Sequence, residues 1–270
     1  MKRKILGGIV AAGLLAGLLP ALIPAGQAAG SQIPGGGGHL KMCQAGQEIH
    51  IDGPWGGYIL KNNDFYSRSA PMCITHDRTG PDFQVTASRA RTYGSESDAY
   101  PNLFMGCSYD HCSHGGVLPA RVFRMKHPWV SYFAKLQPRG KWDANIDMWL
   151  SRHEQKTGIV TGAEVMIWPN AHGFGNPAGN VRVDGRRWHL VYWTTRSLTD
   201  PRITWPLIIF RAVPGRGDLH RLPLMPFFRV LARLHLIHRG YWIDSAHAGF
   251  EIWAGGRGMK LQWFRLGGVR

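Results

Sequence analysis

The sequence predicts an all-β protein, a β-sandwich with one curved sheet and one helix. Short stretches of alternating side-chain character recur along the chain, and turn-forming residues separate them. The 270 residues include 35 Gly, 17 Pro and 11 Trp, a composition that favours many short strands joined by turns over a helical protein. One stretch near the C-terminus has the spacing of an amphipathic helix.

The predicted strands are stretches in which alternate side chains face opposite sides of a sheet. Turn-rich segments separate them, for example residues 170–179 and the sequence PGRGD at 214–218. In chain order the predicted strands are Phe83 to Ala87, Val117 to Phe123, Ala144 to Leu150, Ala163 to Trp168, Trp188 to Trp193, Ile203 to Phe210 and Tyr241 to Trp253. Because 44% of the residues are hydrophobic, the chain can bury a substantial core between two sheets.

One helix is predicted just before the last strand. Apolar residues recur there at roughly helical spacing, with arginines between or after them. Gly240 follows in the position of a C-terminal cap. The apolar positions are Leu224, Phe227, Phe228, Leu231, Leu234 and Leu236.

The N-terminus is typical of a secretory signal. A basic start precedes an apolar stretch from Ile5 to Leu19, and small residues suited to cleavage follow. An uncleaved membrane anchor is the alternative, but prolines and glycines weaken a spanning helix. We therefore expect a signal peptide at 1–29, a flexible Gly-rich lead at 30–38 and one domain at 39–270, secreted to the extracellular space.

The chain carries a formal charge of +15 at pH 7. A strongly basic surface can bind nucleic acid, an anionic envelope or an acidic polysaccharide. The basic residues are scattered, however, and no nucleic-acid-binding motif is present. We expect a basic, solvated surface, no nucleic-acid partner, no membrane partner once the signal is cleaved, and a monomer.

The cysteines, even in number in an exported chain, indicate disulfides, and three pairings are possible. We favour Cys43–Cys73, which would tie down the N-terminal strand, and Cys107–Cys112, which would close a small loop. The alternative is a metal site in CSYDHCSH at residues 107–114. Its spacing fits no standard zinc pattern, and oxidised sulfurs do not bind zinc, so we expect no metal and no cofactor.

Two short apolar segments each contain one glutamate close to a tryptophan. They are EVMIW at residues 164–168 and GFEIWAGG at residues 249–256. A carboxylate among apolar side chains is costly unless something pairs with it. The repeated pattern therefore indicates a shared purpose for the two glutamates.

Strand periodicity places these acids on one face of their strands. Glu164 shares a face with Met166 and Trp168, and the opposite face of that strand is purely apolar. The later segment and the strand ANIDMWL divide in the same way. Their acids, each with a tryptophan on its own face, are Glu251 with Trp253 and Asp147 with Trp149.

Acids flanked by tryptophans on three strands indicate a site that binds and cleaves carbohydrate. Tryptophan rings stack on the apolar faces of pyranose rings. Two carboxyl groups astride a glycosidic bond can supply an acid and either a nucleophile or a base. Ion pairing with the many arginines is the alternative, and it would explain one such acid better than it explains three.

The two glutamate segments resemble the signature blocks of glycoside hydrolase family 12, a family of secreted β-glucanases. EVMIW is followed by NPAG, and the later block is AGFEIWAGGRGM. Weaker similarities are NIDMWL to a strand with a supporting aspartate, SDAYPNLFMGC to a tyrosine-proline block, and KNNDFY to an Asn-Asn strand. The resemblance covers roughly residues 40–265, and both preferred cysteine pairs match a pattern of bacterial members.

The resemblance implies a β-jelly roll of two antiparallel sheets, an open cleft on the concave sheet and a retaining cleavage. It implies that Glu164 is the nucleophile, that Glu251 is the general acid/base and that Asp147 hydrogen-bonds and orients the nucleophile. Met166 and Trp168 would line the cleft near the point of cleavage. The other residues expected to bind substrate are Asn62, Asn63, Phe65, Tyr100, Trp149 and Trp253.

Two departures from the family pattern concern the choice of glucan. Asp64 and Phe65 stand where a tryptophan is usual, and Pro169 stands where a leucine is common. The expected activity is hydrolysis of β-1,4-glucosidic bonds in cellulose-type or mixed-linkage β-glucans. The alternatives are a xyloglucan-specific hydrolase or transglycosylase on the same scaffold, and an inactive lectin-like protein. The presence of all three acids argues against the lectin.

Overall fold

Two β-sheets pack against each other in the computed structural model of the chain, which describes residues 39–53, 56–65, 72–78, 80–92, 96–155, 160–175, 179–197 and 200–270. The expected signal peptide at 1–29 and Gly-rich lead at 30–38 lie outside the described residues. The expected all-β sandwich with one helix is confirmed for the part that is described. In that part, no helix has the length and apolar character needed to cross a membrane.

The strands, in chain order, are β1 (Leu40–Met42), β2 (Gln47–Ile51), β3 (Tyr58–Asn62), β4 (Cys73–His76), β5 (Phe83–Ala87), β6 (Ala90–Arg91), β7 (Asn102–Ser108), β8 (His111–Cys112), β9 (Ala120–Arg121), β10 (Trp129–Lys135), β11 (Gly140–Ser151), β12 (Ala163–His172), β13 (Asn180–Val183), β14 (Arg186–Arg196), β15 (Thr204–Ala212), β16 (Asp218–Pro223), β17 (Trp242–Gly255) and β18 (Lys260–Gly267). A 3₁₀ turn spans Val122–Arg124, and the helix α1 spans Met225–Arg233.

The smaller sheet has six strands in the order β1-β4-β5-β18-β10-β16. The larger sheet has twelve, nine of them in the order β13-β14-β15-β12-β11-β17-β7-β3-β2, with β6 and β9 pairing with β17 and β8 with β7. Strands β12 and β15 pair in parallel, and the other described pairings are antiparallel. The long strands β11, β12 and β17 lie side by side in the middle of the larger sheet.

The core lies between the sheets because each central strand gives one apolar face to it. Phe83 of β5 and Phe250 of β17 are fully buried and meet edge to face, with ring centroids 5.6 Å apart. Burial of one such ring contributes about 1.5–3 kcal/mol of stability. The alternate face of β11, β12 and β17 points away from the smaller sheet, and it carries the acids predicted to be catalytic.

Six of the predicted strands lie wholly or almost wholly within strands of the structure, and one prediction was wrong. The stretch Val117 to Phe123 contains only the short strand β9, followed by the 3₁₀ turn. Pro119 lacks the N–H group that a strand ladder needs, which explains why the strand begins only at Ala120.

The predicted helix is confirmed, but it is shorter than its apolar pattern. It ends at Arg233, and Leu234 is 49% exposed. Phe227 packs edge to face against Trp188 of β14 and Phe210 of β15, with ring centroids 5.0 Å away in each case. The helix therefore covers the core face of the larger sheet at the β14–β15 end.

Both predicted disulfides are present. Cys43 joins Cys73 next to the β1–β4 pairing, with Cα atoms 4.2 Å apart. Cys107 joins Cys112, its register partner in the β7–β8 hairpin. The first bridge closes a loop with a sequence separation of 30, and the second a loop with a separation of 5.

Candidate active site

The acids predicted to be catalytic come together on the outer face of the larger sheet. Glu164 extends from β12, Asp147 from the neighbouring β11, and Glu251 from β17 on the other side of β11. The charge of Glu251 raises the pKa of both Glu164 and Asp147, so the three carboxyl groups lie close enough to interact electrostatically. Asp147 is fully buried, whereas both glutamates are partly exposed.

Glu164 is held by an indole that the sequence did not single out. The Nε1–H of Trp205 donates to Glu164 Oε2 at 2.7 Å. Burial raises the pKa of Glu164 to about 7, this hydrogen bond opposes the rise, and the charge of Glu251 adds to it. The donated hydrogen bond therefore favours the ionised form that a nucleophile needs.

Asp147 is placed beside the nucleophile candidate, but it does not form the expected hydrogen bond to Glu164. Its Oδ2 atom accepts from Trp149 Nε1 at 2.7 Å, and its Oδ1 atom has no hydrogen-bond partner among the described residues. Burial and the charge of Glu164 raise the pKa of Asp147 well above its usual value. The two carboxyl groups therefore interact through charge, and Trp149 fixes the orientation of Asp147.

Glu251 has an acidic partner, Asp143, that sequence reasoning missed. The two residues are register partners on β17 and β11, and Asp143 is fully buried. Burial raises the pKa of Glu251, an effect that the neighbouring Asp143 opposes, and burial and the charge of Glu251 raise the pKa of Asp143 well above normal. Both shifts favour protonated carboxyl groups, because two adjacent buried carboxylates would repel each other.

A chain of buried polar groups supports Asp143. Asn145 Nδ2 donates to Asp143 Oδ1 at 2.6 Å, and the Tyr100 hydroxyl donates to Asn145 Oδ1 at 2.7 Å. Tyr100 was expected to bind substrate, but it is only 7% exposed and its hydroxyl is committed to Asn145. The structure corrects that expectation, because Tyr100 reaches the acids through Asn145.

Trp149, also predicted to bind substrate, is half-buried in an aromatic stack. The ring of His247 lies 5.3 Å from that of Trp149 and 4.8 Å from that of Phe104, nearly parallel to both. Burial lowers the pKa of His247 to about 3, so it is neutral. Its Nε2 atom lies 2.8 Å from Ser245 Oγ, which fixes the ring beside Asp147, its register partner.

A second aromatic group lies beside Glu251 on the same outer face of the larger sheet, which is called the cleft face below. Phe174 contacts Trp168 and Trp253 with ring centroids 5.3 and 5.0 Å away. Trp168, Trp253 and Met166 are at most 7% exposed. These residues, predicted to bind substrate, are therefore almost wholly buried, and Phe174, which the sequence did not single out, lies against the two indoles.

The Asn-Asn segment lies at the end of β3, with Asn62 as its last residue and Asn63 just beyond it. Asn62 is fully buried, and its Nδ2 atom donates to the backbone carbonyls of Met42, Gln44 and Met72 at 3.0–3.4 Å. The expectation that Asn62 binds substrate is therefore wrong for this structure, because its amide ties strands together. Asn63 is half-buried, and its carbonyl oxygen accepts from Tyr100 N.

Two aromatic side chains, one predicted and one missed, are largely exposed. Phe65, predicted to bind substrate, is 42% exposed. Trp193, which was missed, is 47% exposed and shares a cross-strand row with Leu207 and Glu164. Directly paired residues point to the same face, so Trp193 lies on the cleft face two strands from Glu164.

A β-sandwich with paired carboxyl groups and aromatic side chains on one sheet face is the arrangement of a glycosidase site. The chain belongs to glycosyl hydrolase family 12, because the model of that family matches residues 56–266. The expected β-jelly roll is confirmed by this match and by the solved structures that the chain resembles.

Several known proteins resemble the chain over most of their length. The probable cellulase Cel12b of Mycobacterium tuberculosis (strain ATCC 25618 / H37Rv) is 26% identical over 154 residues, which is 56% of this chain and 96% of that protein. The structure of endoglucanase cel12A from Rhodothermus marinus is 25% identical with a TM-score of 0.72, covering 84% of this chain and 97% of that one. A family 12 xyloglucanase from Bacillus licheniformis has a TM-score of 0.74 over 86% of this chain and 100% of its own, and at 18% identity it shows the shared fold only.

Proposed function

We propose that the chain is a secreted, retaining endo-β-1,4-glucanase in which Glu164 is the nucleophile and Glu251 the general acid/base. The observation that carries this proposal is the difference between their partners. Glu164 accepts a hydrogen bond from an indole N–H, which favours its ionised form. Glu251 instead faces another acid, Asp143, across the strands, and burial raises its pKa, which favours the protonated form that a general acid needs.

In the first step the Glu164 carboxylate attacks the anomeric carbon, and the bond from that carbon to the leaving oxygen breaks. Glu251 gives its proton to the leaving oxygen at the same time. The product is a covalent glycosyl ester on Glu164. Because this ester is neutral, the charge that raised the proton affinity of neighbouring acids is removed.

In the second step a water molecule attacks the same carbon and releases Glu164 as a carboxylate. Glu251 takes the proton of that water and returns to its starting state. Two displacements at one carbon retain its configuration. The proton that Glu251 gives up in the first step is replaced by one from the water in the second, so both carboxyl groups return to their starting states.

The substrate class rests on the relatives and on the aromatic side chains of the cleft face. The resembling proteins are named cellulase, endoglucanase and xyloglucanase. Phe65 and Trp193 are exposed aromatic side chains on which glucosyl rings could stack. We infer a soluble or amorphous β-glucan chain as substrate.

Azide rescue tests the two catalytic roles separately. In a Glu164→Gly variant, azide and an aryl β-cellobioside with a good leaving group should give the α-glycosyl azide by one displacement. In a Glu251→Ala variant the same substrate should first glycosylate Glu164, and azide should then give the β-glycosyl azide. Exchange of the two anomers between the variants would reverse the assignments, and ordinary activity in both would refute the glycosidase proposal.

A substrate panel tests the glucan preference. We expect release of reducing ends from carboxymethyl cellulose and mixed-linkage β-glucan at higher kcat/KM than from xyloglucan. The Glu164→Gly variant serves as the inactive control. Faster cleavage of xyloglucan would identify the xyloglucanase alternative instead, and binding to all three glucans without any release would identify a lectin.

Export is the remaining part of the proposal. The signal-like residues 1–29 and the two disulfides both suit an oxidising compartment outside the cytoplasm. Expression of the full chain with N-terminal sequencing of protein from the medium should show a new N-terminus near Gly30. Recovery of only the intact chain in the membrane fraction would favour the anchor.

A further inference from the structure

The smaller sheet carries an open groove on its outer face, on a different sheet from the acids. The groove has a volume of about 320 Å³ and lies across β10, β16 and β18. None of its lining residues is acidic. They are Trp129, Ser131, Phe133, His220, Arg221, Trp263 and Arg265.

Strand periodicity shows that these side chains are not part of the core. Val130, Tyr132 and Phe264, their neighbours along the chain, are fully buried between the sheets. Phe133 and Trp263 are register partners and are half-buried on the opposite face, with ring centroids 5.6 Å apart. An outer sheet face normally carries polar side chains, so a cluster of aromatic rings there indicates a contact surface.

Two arginines are arranged around the third aromatic ring. The guanidinium carbons of Arg221 and Arg265 lie 4.7 and 5.0 Å from the ring centroid of Trp129. The indole rests directly on the backbone, since a Cβ atom at Gly267 would lie 2.4 Å from Trp129 Cζ2. The indole therefore holds two positive charges at fixed positions beside the Phe133–Trp263 pair.

The charge balance of the groove favours an anionic ligand. Asp218 is near the edge of the groove, and its Oδ2 atom lies 3.5 Å from His220 Nε2. The chain as a whole has a net charge of +15. Planar guanidinium groups recognise carboxylates with paired hydrogen bonds, and adjacent aromatic rings suit the apolar faces of sugars.

We propose that this groove binds an acidic polysaccharide, with a uronate carboxylate on the arginine pair and neighbouring sugar rings on Phe133 and Trp263. A polysaccharide is favoured over other polyanions because the chain belongs to a family of polysaccharide hydrolases. The site is separate from the cleft, so the protein could hold an acidic chain while it cleaves a neutral one. The proposal does not depend on the roles of Glu164 and Glu251.

Calorimetric titration of the full-length protein with an oligogalacturonate of defined length tests the proposal. We expect saturable, salt-sensitive binding that is about tenfold weaker in Arg221→Gln, because a charge-assisted hydrogen bond is lost. Trp263→Ala should also weaken binding, with its fold checked by circular dichroism. Hydrolysis of a neutral β-glucan by Arg221→Gln should be unchanged.

The matched control is Arg229→Gln, which removes the same charge from the exposed side of α1, away from the groove lining. Equal weakening in Arg229→Gln would show that net charge alone attracts the ligand, and would overturn the proposal. Wild-type affinity in Arg221→Gln, or an absence of binding to the wild type, would do the same. Single-stranded DNA that bound more tightly and depended more on Arg221 would replace the polysaccharide with a nucleic acid.

Discussion

The surroundings of Glu164 and Glu251 differ although their sequence patterns match. Each glutamate lies on the cleft face of a central strand, with a tryptophan on the same face. Glu164 is bound by the Trp205 N–H and lies near an acid that it repels, Asp147. Glu251 is the cross-strand register partner of another acid, Asp143. The strand pattern thus determines which face of the sheet a carboxyl group occupies, and the neighbouring side chains determine its pKa.

Replacement of Asp147 should give the largest effect on the Glu164 side. Glu164 changes charge in each chemical step, and an amide cannot adjust its protonation in response. We expect Asp147→Asn to keep the fold and to lower kcat about 30–100-fold, equivalent to about 2–3 kcal/mol, with a smaller change in KM. Steady-state kinetics on a soluble β-glucan measure this.

Asp244→Asn is the matched control for this prediction. Asp244 is another fully buried acid on β17, where burial raises its pKa to about 6, but its partners are Ser151 and Gln155. We expect near-normal kcat from this variant. An unchanged kcat in a well-folded Asp147→Asn protein would remove Asp147 from the reaction.

Asp143→Asn should alter the pH dependence on the Glu251 side. If the Asp143–Glu251 pair held only one proton, its transfer to the leaving oxygen would leave two adjacent buried carboxylates, which is energetically costly. The active form should therefore hold both protons, and activity should fall when the pair loses the first. With an amide in place of Asp143 the basic limb of kcat/KM should move to higher pH by about 1 unit. A move of this limb to lower pH would show instead that the active pair holds a single proton and transfers it.

Trp205→Phe should shift the opposite limb of the profile. The indole N–H stabilises ionised Glu164, so its loss raises the pKa of Glu164. Because the nucleophile must be ionised, the acidic limb of kcat/KM should move to higher pH by about 0.5–1 unit. Trp193→Phe, an exposed tryptophan on the same face, should leave that limb in place, and an equal shift in both variants would contradict the role of Trp205.

Ser97→Ala should have the smallest effect. The Ser97 hydroxyl donates to Glu251 Oε1 across 3.5 Å, a long contact that lowers the pKa of Glu251. Without it the pKa of Glu251 should rise, and the basic limb of kcat/KM should move to higher pH by about 0.3 unit or less. A shift as large as that of Asp143→Asn would mean that Asp143 has no special influence on the pKa of Glu251.

The central strands of this fold could be predicted from the sequence because their alternation is strong. The period-two pattern around Glu164 and Glu251 placed both acids on the correct faces. Asp143 was missed although it lies four residues before Asp147 on the same face of β11, a spacing that could have identified it. Trp205 contacts Glu164 across the parallel β12–β15 pairing, and no local sequence pattern predicts which strands pair.

The errors at Asn62 and Tyr100 have a common physical cause. A polar residue in a recognised segment can face either the cleft or the strands behind it, and the register of pairing decides which. Asn62 faces inward, where it satisfies three backbone carbonyls near β1 and β4. Tyr100 points towards the acids, but Asn145 lies between its hydroxyl and Asp143.

The buried carboxyl groups also couple folding to pH. Asp143, Asp147, Glu164 and Glu251 all have raised pKa values, so the folded chain binds these protons more tightly than the unfolded chain does. Between about pH 7 and the ordinary value of 4.5, set by Glu164, each step towards acid should therefore increase the free energy of unfolding. Above pH 7 the ionised acids should loosen this part of the sheet, so that the protein is most resistant to denaturant in mildly acidic surroundings.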